Sequence, residues 1–205
     1  MGTVKRILGL AAILAFVAGC SGDRVYKPQD GDIVFQTSRS PQSLAIQRAT
    51  KSPYSHMGIV FLEGGTPYVL EAVQPVISTP LAQWIQRGQD GHYVAKRLRD
   101  ASQLTPDRLE NMQSIGEGFL GKDYDWTFQW SDDRIYCSEL VWKIYADGAG
   151  IQLGELETLA DFDLSDPMIQ AAVQERFGDH VPLDENVVSP AAIFRADNLE
   201  TVGSN

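Results

Sequence analysis

Two apolar runs, His56 to Leu62 and Tyr68 to Val73, stand on either side of Glu63-Gly64-Gly65-Thr66, and an antiparallel hairpin is the arrangement that accommodates them. Successive residues of a strand point to opposite faces, yet here both faces are apolar: Met57, Ile59 and Phe61 on one, Val60 and Leu62 on the other. A sheet built on this hairpin is therefore covered on both sides. Two polar residues within the runs, His56 and Glu71, then call for an explanation. With the turn centred on Glu63-Gly64, Leu62 pairs with Gly65 and His56 lies directly opposite Glu71. A slip of one residue turns Glu71 to the other face.

Around the hairpin, Asp32 to Gln36 and Tyr93 to Leu98 read as further strands. Ser40-Pro41 reads as the N-cap and first position of a helix that ends near Thr50. A short helix spans Pro80 to Arg87 and stops at Gly88. Thr105-Pro106 opens a longer one with Leu109, Met112, Ile115 and Phe119 at helical spacing, ending before Gly121. Another begins at Cys137, with Leu140, Val141 and Ile144 on one side, and helical stretches follow at Pro167–Phe177 and Pro190–Arg195. Strands clustered early, with helices before and after them, indicate an α+β fold with an antiparallel sheet packed against helices.

The first twenty residues are a separate matter. Lys5 and Arg6 precede an apolar run, Ile7 to Val17, that is too short to span a bilayer and has the layout of a secretory signal. Its end, Val17-Ala18-Gly19-Cys20, resembles the bacterial lipobox, in which the Cys is acylated and becomes the new N-terminus. That resemblance implies a signal peptide over residues 1–19, a lipidated Cys20 with a tether to residue 29, and one domain over 30–205. Ser21 after the Cys implies sorting to the outer membrane, with the domain facing the periplasm. Removing the signal leaves 15 basic against 27 acidic residues, a balance of −12 that argues against nucleic-acid partners.

With Cys20 acylated, Cys137 is the only free thiol, kept unpaired in an oxidising compartment. It lies in Tyr136-Cys137-Ser138-Glu139, where a polar run meets a helical pattern, and a helix N-terminus favours the thiolate. A cysteine nucleophile needs a base, and the base a partner that fixes its tautomer. Of three histidines, His92 and His180 lie in loop-like stretches, whereas His56 opens an apolar strand. Each residue also has a structural reading: a buried cysteine, a satisfied core histidine, and for Glu71 a charge at a sheet edge. No Gly-x-Ser-x-Gly elbow makes Ser138 a nucleophile, no His/Cys spacing points to a metal, and no glycine-rich loop points to a phosphate cofactor.

The residues in these segments resemble the YiiX/YaeF group of permuted papain-like cysteine hydrolases, relatives of the NlpC-type cell-wall amidases. The likeness runs through Gly31-Asp32-Ile33-Val34-Phe35-Gln36, Ser52-Pro53-Tyr54-Ser55-His56-Met57-Gly58 and Tyr68-Val69-Leu70-Glu71-Ala72. It continues through Tyr124-Asp125-Trp126, Tyr136-Cys137-Ser138-Glu139 and Val187-Val188-Ser189-Pro190. His56 precedes Cys137, which is similar to the permuted order. The resemblance implies a permuted papain-like fold in which Cys137 is the nucleophile, His56 the base and Glu71 the orienting residue. It offers Tyr124, Gln36, Tyr54 and Tyr136 for the substrate wall or oxyanion hole, and implies no cofactor. Tyr136 and Glu139 depart from the NlpC-type pattern around the nucleophile. The expected activity is thioester-mediated cleavage of a peptide or isopeptide amide, with cell-wall peptides the nearest substrate by location. Lipid-directed acyl hydrolysis or transfer is one alternative, and a non-catalytic periplasmic binding lipoprotein another.

Overall fold

The computed structural model describes residues 26–205 apart from Pro41. The signal, the lipidation position Cys20 and most of the tether lie outside the described residues, as does the expected first helical position at Pro41.

Six strands form one antiparallel sheet: β1 (Ile33–Gln36), β2 (His56–Glu63), β3 (Thr66–Glu71), β4 (Ile77–Pro80), β5 (Val94–Leu98) and β10 (Leu199–Ser204), in the order β10-β5-β1-β2-β3-β4. The helices are α1 (Ser43–Thr50), α2 (Leu81–Arg87), α3 (Pro106–Phe119), α4 (Cys137–Ala149), α5 (Pro167–Phe177) and α6 (Pro190–Phe194). Two small ladders complete the frame: β6 (Asp123–Tyr124) with β7 (Arg134–Ile135), and β8 (Glu157–Thr158) with β9 (Asn186–Val187). The α+β expectation holds, and so does the sheet covered on both faces. One face carries Ile33, Phe35, Met57, Ile59 and Leu70 against Met112, Leu140 and Ile144 of α3 and α4. The other carries Val34, Val60, Val69 and Ala95 against Leu81 and Trp84 of α2.

The hairpin register differs from the expectation. Glu63 pairs with Thr66 and Ile59 with Leu70, so the turn is the two-residue loop Gly64-Gly65. Both glycines have positive φ (57° and 85°), which a tight hairpin turn requires at its two central positions. The slip relative to a turn centred on Glu63-Gly64 is two residues, which preserves the face of every side chain. Continuing this register sets Glu71 opposite Gly58 rather than His56, with His56 its diagonal neighbour on the same face. A Cβ at Gly58 would stand 2.4 Å from Val69 Cγ1 and 3.3 Å from Glu71 Cβ. The missing side chain is what lets Glu71 lean toward His56.

Helix α1 starts at Ser43, with Gln42 at its N-cap and no side-chain cap bond, later than Ser40. Ser43 Oγ instead shares a 2.6 Å hydrogen bond with Ser55 Oγ, tying α1 to the residue before His56. The α3 cap is as expected, with Thr105 accepting from the Arg108 N–H. Strands β4 and β10 carry no clear alternation and were not anticipated.

Candidate active site

Cys137 is the first residue of α4, packed over β2, and is 3 % exposed. Its backbone N–H is among the first four of the helix, which have no partner within it. The start of α4 is fixed by Glu139, whose fully buried carboxylate accepts from the Tyr136 N–H (3.4 Å) and the Ser131 N–H (3.3 Å). Lys143, one turn on, reaches Glu139 Oε1 (2.8 Å), the Ser131 carbonyl (2.7 Å) and Asp132 (2.7 Å). Burial raises the Glu139 pKa to about 7 against the pull of Lys143 and the two backbone donors.

His56 opens β2 at the end of the sheet where α4 begins. Its Nε2 lies 2.7 Å from Glu71 Oε2, and its ring stacks on Trp84 with centroids 6.0 Å apart. With Nε2 engaged, Nδ1 is the nitrogen left for Cys137. Burial opposes charge on the ring, yet hydrogen bonding to Cys137 and to Glu71 raises its pKa to about 9. Glu71 is itself wholly buried, and its second oxygen accepts from Thr79 Oγ1 (2.6 Å) and from Arg87 Nη2. Burial pushes the carboxyl pKa up, but His56, Thr79 and Arg87 outweigh it and hold it below the usual range.

Thus Cys137, His56 and Glu71 come together, joined by Thr79 and Arg87, which the sequence reading did not single out. Thr79 sits on the unanticipated β4. Tyr124, brought beside Ile135 by the β6–β7 ladder, is 6 % exposed. Burial and the nearby Cys137 hold its pKa well above the ordinary value, so its hydroxyl stays a donor. Gln36 pairs with His56 in the β1–β2 register, is 2 % exposed, and its Oε1 has no partner. Tyr136 is buried beneath Phe128, and its hydroxyl accepts from the Val188 N–H (3.1 Å). Tyr54 is placed elsewhere: it packs between Phe35 and Phe194 and lines neither cavity of the site. Ser138 donates to the Val188 carbonyl (2.7 Å), and His92 and His180 are exposed.

Two cavities meet at this centre. One, of about 120 Å³, is walled by Cys137 and by side chains that include Ile46, Phe128, Phe162, Ile169 and Val173. Ile169, Val173 and Phe177, spaced four residues apart on α5, supply part of this wall, a role the helical stretch itself does not announce. Arg176, the one charged residue in this lining, lies over the Phe128 ring at 4.8 Å. The second cavity, about 600 Å³, has a more polar lining than the first and contains His56. Tyr124 and Ser55 line both.

Residues 27–203 match the model of a family described as permuted papain-like amidase enzymes, YaeF/YiiX, C92 family. The chain is 49 % identical over 177 residues to the protein YiiX of Escherichia coli K12, itself described as uncharacterized, covering 86 % of this chain and 87 % of that one. It is similar to the crystal structure of YiiX from Escherichia coli O157:H7, with a TM-score of 0.84 and 49 % identity, covering 88 % of this chain and 99 % of that one. That protein is described as a metalloprotein. Here, among the described residues, no three His, Cys, Asp or Glu side chains group as a metal would need. Both Glu71 oxygens are already taken by His56, Thr79 and Arg87, so these residues do not fit a metal centre.

Proposed function

The chain belongs to the permuted papain-like amidase family, and from that premise we propose that it is a thiol-dependent amidase in which Cys137 is the nucleophile, His56 the base and acid, and Glu71 the residue that orients His56. The observation that carries this reading is His56 held between Cys137 and Glu71, with Nε2 on the carboxylate and its other nitrogen free for the sulfur. Proton transfer to Nδ1 leaves a thiolate, which attacks the amide carbon. As the C–N bond breaks, the proton on His56 passes to the departing nitrogen and a thioester remains. Water then attacks the thioester and gives up a proton to His56, which returns it to the sulfur as the acid leaves. The Cys137 N–H and the Tyr124 hydroxyl are the donors for the oxyanion.

The acyl half of the substrate follows from the wall around Cys137. A cavity whose exposed surface is mainly apolar suits an apolar acyl chain, whereas peptide stems of the cell wall offer short polar acyl groups. This lining favours the lipid-directed reading of the amidase over the cell-wall one. The lipid anchor at Cys20, and with it an outer-membrane protein facing the periplasm, belongs to the same proposal, since it would keep the domain beside amphiphilic substrates.

The test is intact-mass spectrometry with N-decanoyl amides, decanoyl phospholipids and cell-wall peptides. We expect a decanoyl adduct on Cys137 and release of the amine, both lost in Cys137→Ser. Fatty acid released from phospholipid alone would favour an acyl hydrolase. Absence of any adduct or amine would leave the binding-lipoprotein reading.

A further inference from the structure

The two cavities divide the scissile bond between them. Cys137, which takes the acyl carbon, lines the apolar cavity and not the polar one; His56, which hands its proton to nitrogen, lines the polar cleft and not the apolar one. The amine half therefore lies in the polar cleft. Its walls include Gln36, Arg39, Gln42, Gln74, Gln86 and Arg87, and no Asp or Glu. That is unexpected on a chain of net charge −10, where a random patch of surface carries carboxylates.

The cations of the cleft are not used up. Arg87 gives Nη2 to the buried Glu71, yet its side chain is 43 % exposed and a guanidinium has five donors in a planar fork. Arg39 is exposed at the rim and has no carboxylate partner among the described residues. The carboxylate of Glu71 behind His56 is wholly buried and already engaged by His56, Thr79 and Arg87. The buried Gln36 amide, with its Oε1 unpartnered, is a polar group that a ligand would satisfy.

We propose that this cleft selects an amine bearing an anionic group, with the carboxylate of an amino acid held by Arg39 and the free face of Arg87. Resting on the amidase reading above, this makes the substrate class an N-acyl amino acid: apolar acyl chain on the Cys137 side, charged amino acid on the His56 side. Hydrolysis of the C–N bond consumes one water and yields a fatty acid and a free amino acid.

The experiment compares N-decanoylglycine, N-decanoylglycinamide and the decanoyl amide of ethylenediamine, which share an acyl group and differ in the charge of the amine. We expect the kcat/KM of the anionic substrate to exceed that of the neutral one by roughly ten-fold, the worth of one charge-assisted contact, with the cationic amide slowest. Arg39→Ala should bring the anionic-to-neutral ratio toward unity mainly through KM, and Arg39→Lys should restore part of it. Equal rates for the three amides, or a ratio untouched by Arg39→Ala, would overturn the proposal. Should none of the amides be cleaved, the amidase reading fails, and the cleft is judged by calorimetric binding to Cys137→Ala. Tighter binding of N-decanoylglycine than of its amide sustains the charge selection, and equal binding refutes it.

Discussion

Replacing Glu71 by Gln keeps the shape of the side chain and removes its charge, and the structure sets what that should do. In the native protein one carboxylate oxygen serves His56 and the other serves Thr79 and Arg87, so an amide must turn its NH2 toward a donor on one side. Facing His56, the NH2 donates to Nε2 and forces the ring proton onto Nδ1, the nitrogen that should accept from Cys137. A base held in the wrong tautomer costs about 10⁴ in turnover. Stability should change with a definite pH dependence. Raising the imidazole pKa from 6.5 to about 9 amounts to about 3 kcal/mol, shared between Cys137 and Glu71 with Cys137 the larger cause, so about 1 kcal/mol falls to Glu71. The His56 contribution is complete below its ordinary 6.5 and is lost as pH rises through about 9. That of Glu71, whose pKa is depressed, is complete above its ordinary 4.5 and is lost as pH falls below it. The penalty of the Gln variant should therefore peak between about pH 4.5 and 6.5 and shrink on either side. Urea unfolding of both proteins, followed by tryptophan emission at about pH 5.5, 7.5 and 10, measures it. A penalty that is flat across that range, or a Gln variant as active as the native protein, would refute the ion pair.

Three further outcomes are expected. Gly58→Ala should destabilise the fold by about 1–3 kcal/mol and depress turnover more than its melting temperature explains, because the new methyl meets Val69 and the Leu70 carbonyl and pushes on Glu71; full activity in this variant would contradict the close approach. Val173→Trp, which fills the apolar cavity, should abolish cleavage of long-chain amides while sparing acetyl amides, read from a chain-length series. Cys20→Ala should release the protein from the membrane fraction, whereas an unmodified native N-terminus at residue 21 or later, found by mass spectrometry, would remove the anchor.

The nature of the elements was readable in the sequence where a local rule governs them. Thr105 caps α3, Gly88 stops α2, and Pro167–Phe177 is a helix as its spacing says. The hairpin was legible too, but its register depended on recognising that Gly64 and Gly65 together form the turn. Only a two-residue loop gives both of them positive φ, and centring the turn one residue earlier moved every pairing by two. The faces survived that shift, which is why His56 and Glu71 meet despite it. What the sequence could not convey was the supporting ring. Thr79 and Arg87 reach Glu71 through strand pairing and helix docking, and no local pattern in Ile77–Arg87 marks them. Likewise the apolar residues of α5 have the periodicity of a core face, and only the fold turns that face toward Cys137.

The buried Glu139–Lys143 pair has a bearing on how such a protein can diversify. It clamps Ser131 and Asp132 at the end of the segment that carries Phe128, and the same carboxylate holds the backbone from which Cys137 projects. One wall of the apolar cavity and the Cys137 sulfur therefore share a single mounting. Altering chain-length preference through Phe128 or its neighbours would tilt the nucleophile as well. The opposite wall, from α1 and α5, makes no hydrogen bond to the Cys137 backbone among the described residues, and is fastened at the surface by Arg48 and Asp166. Divergence in acyl preference among related chains should accordingly accumulate on α1 and α5, leaving the clamped side unvaried.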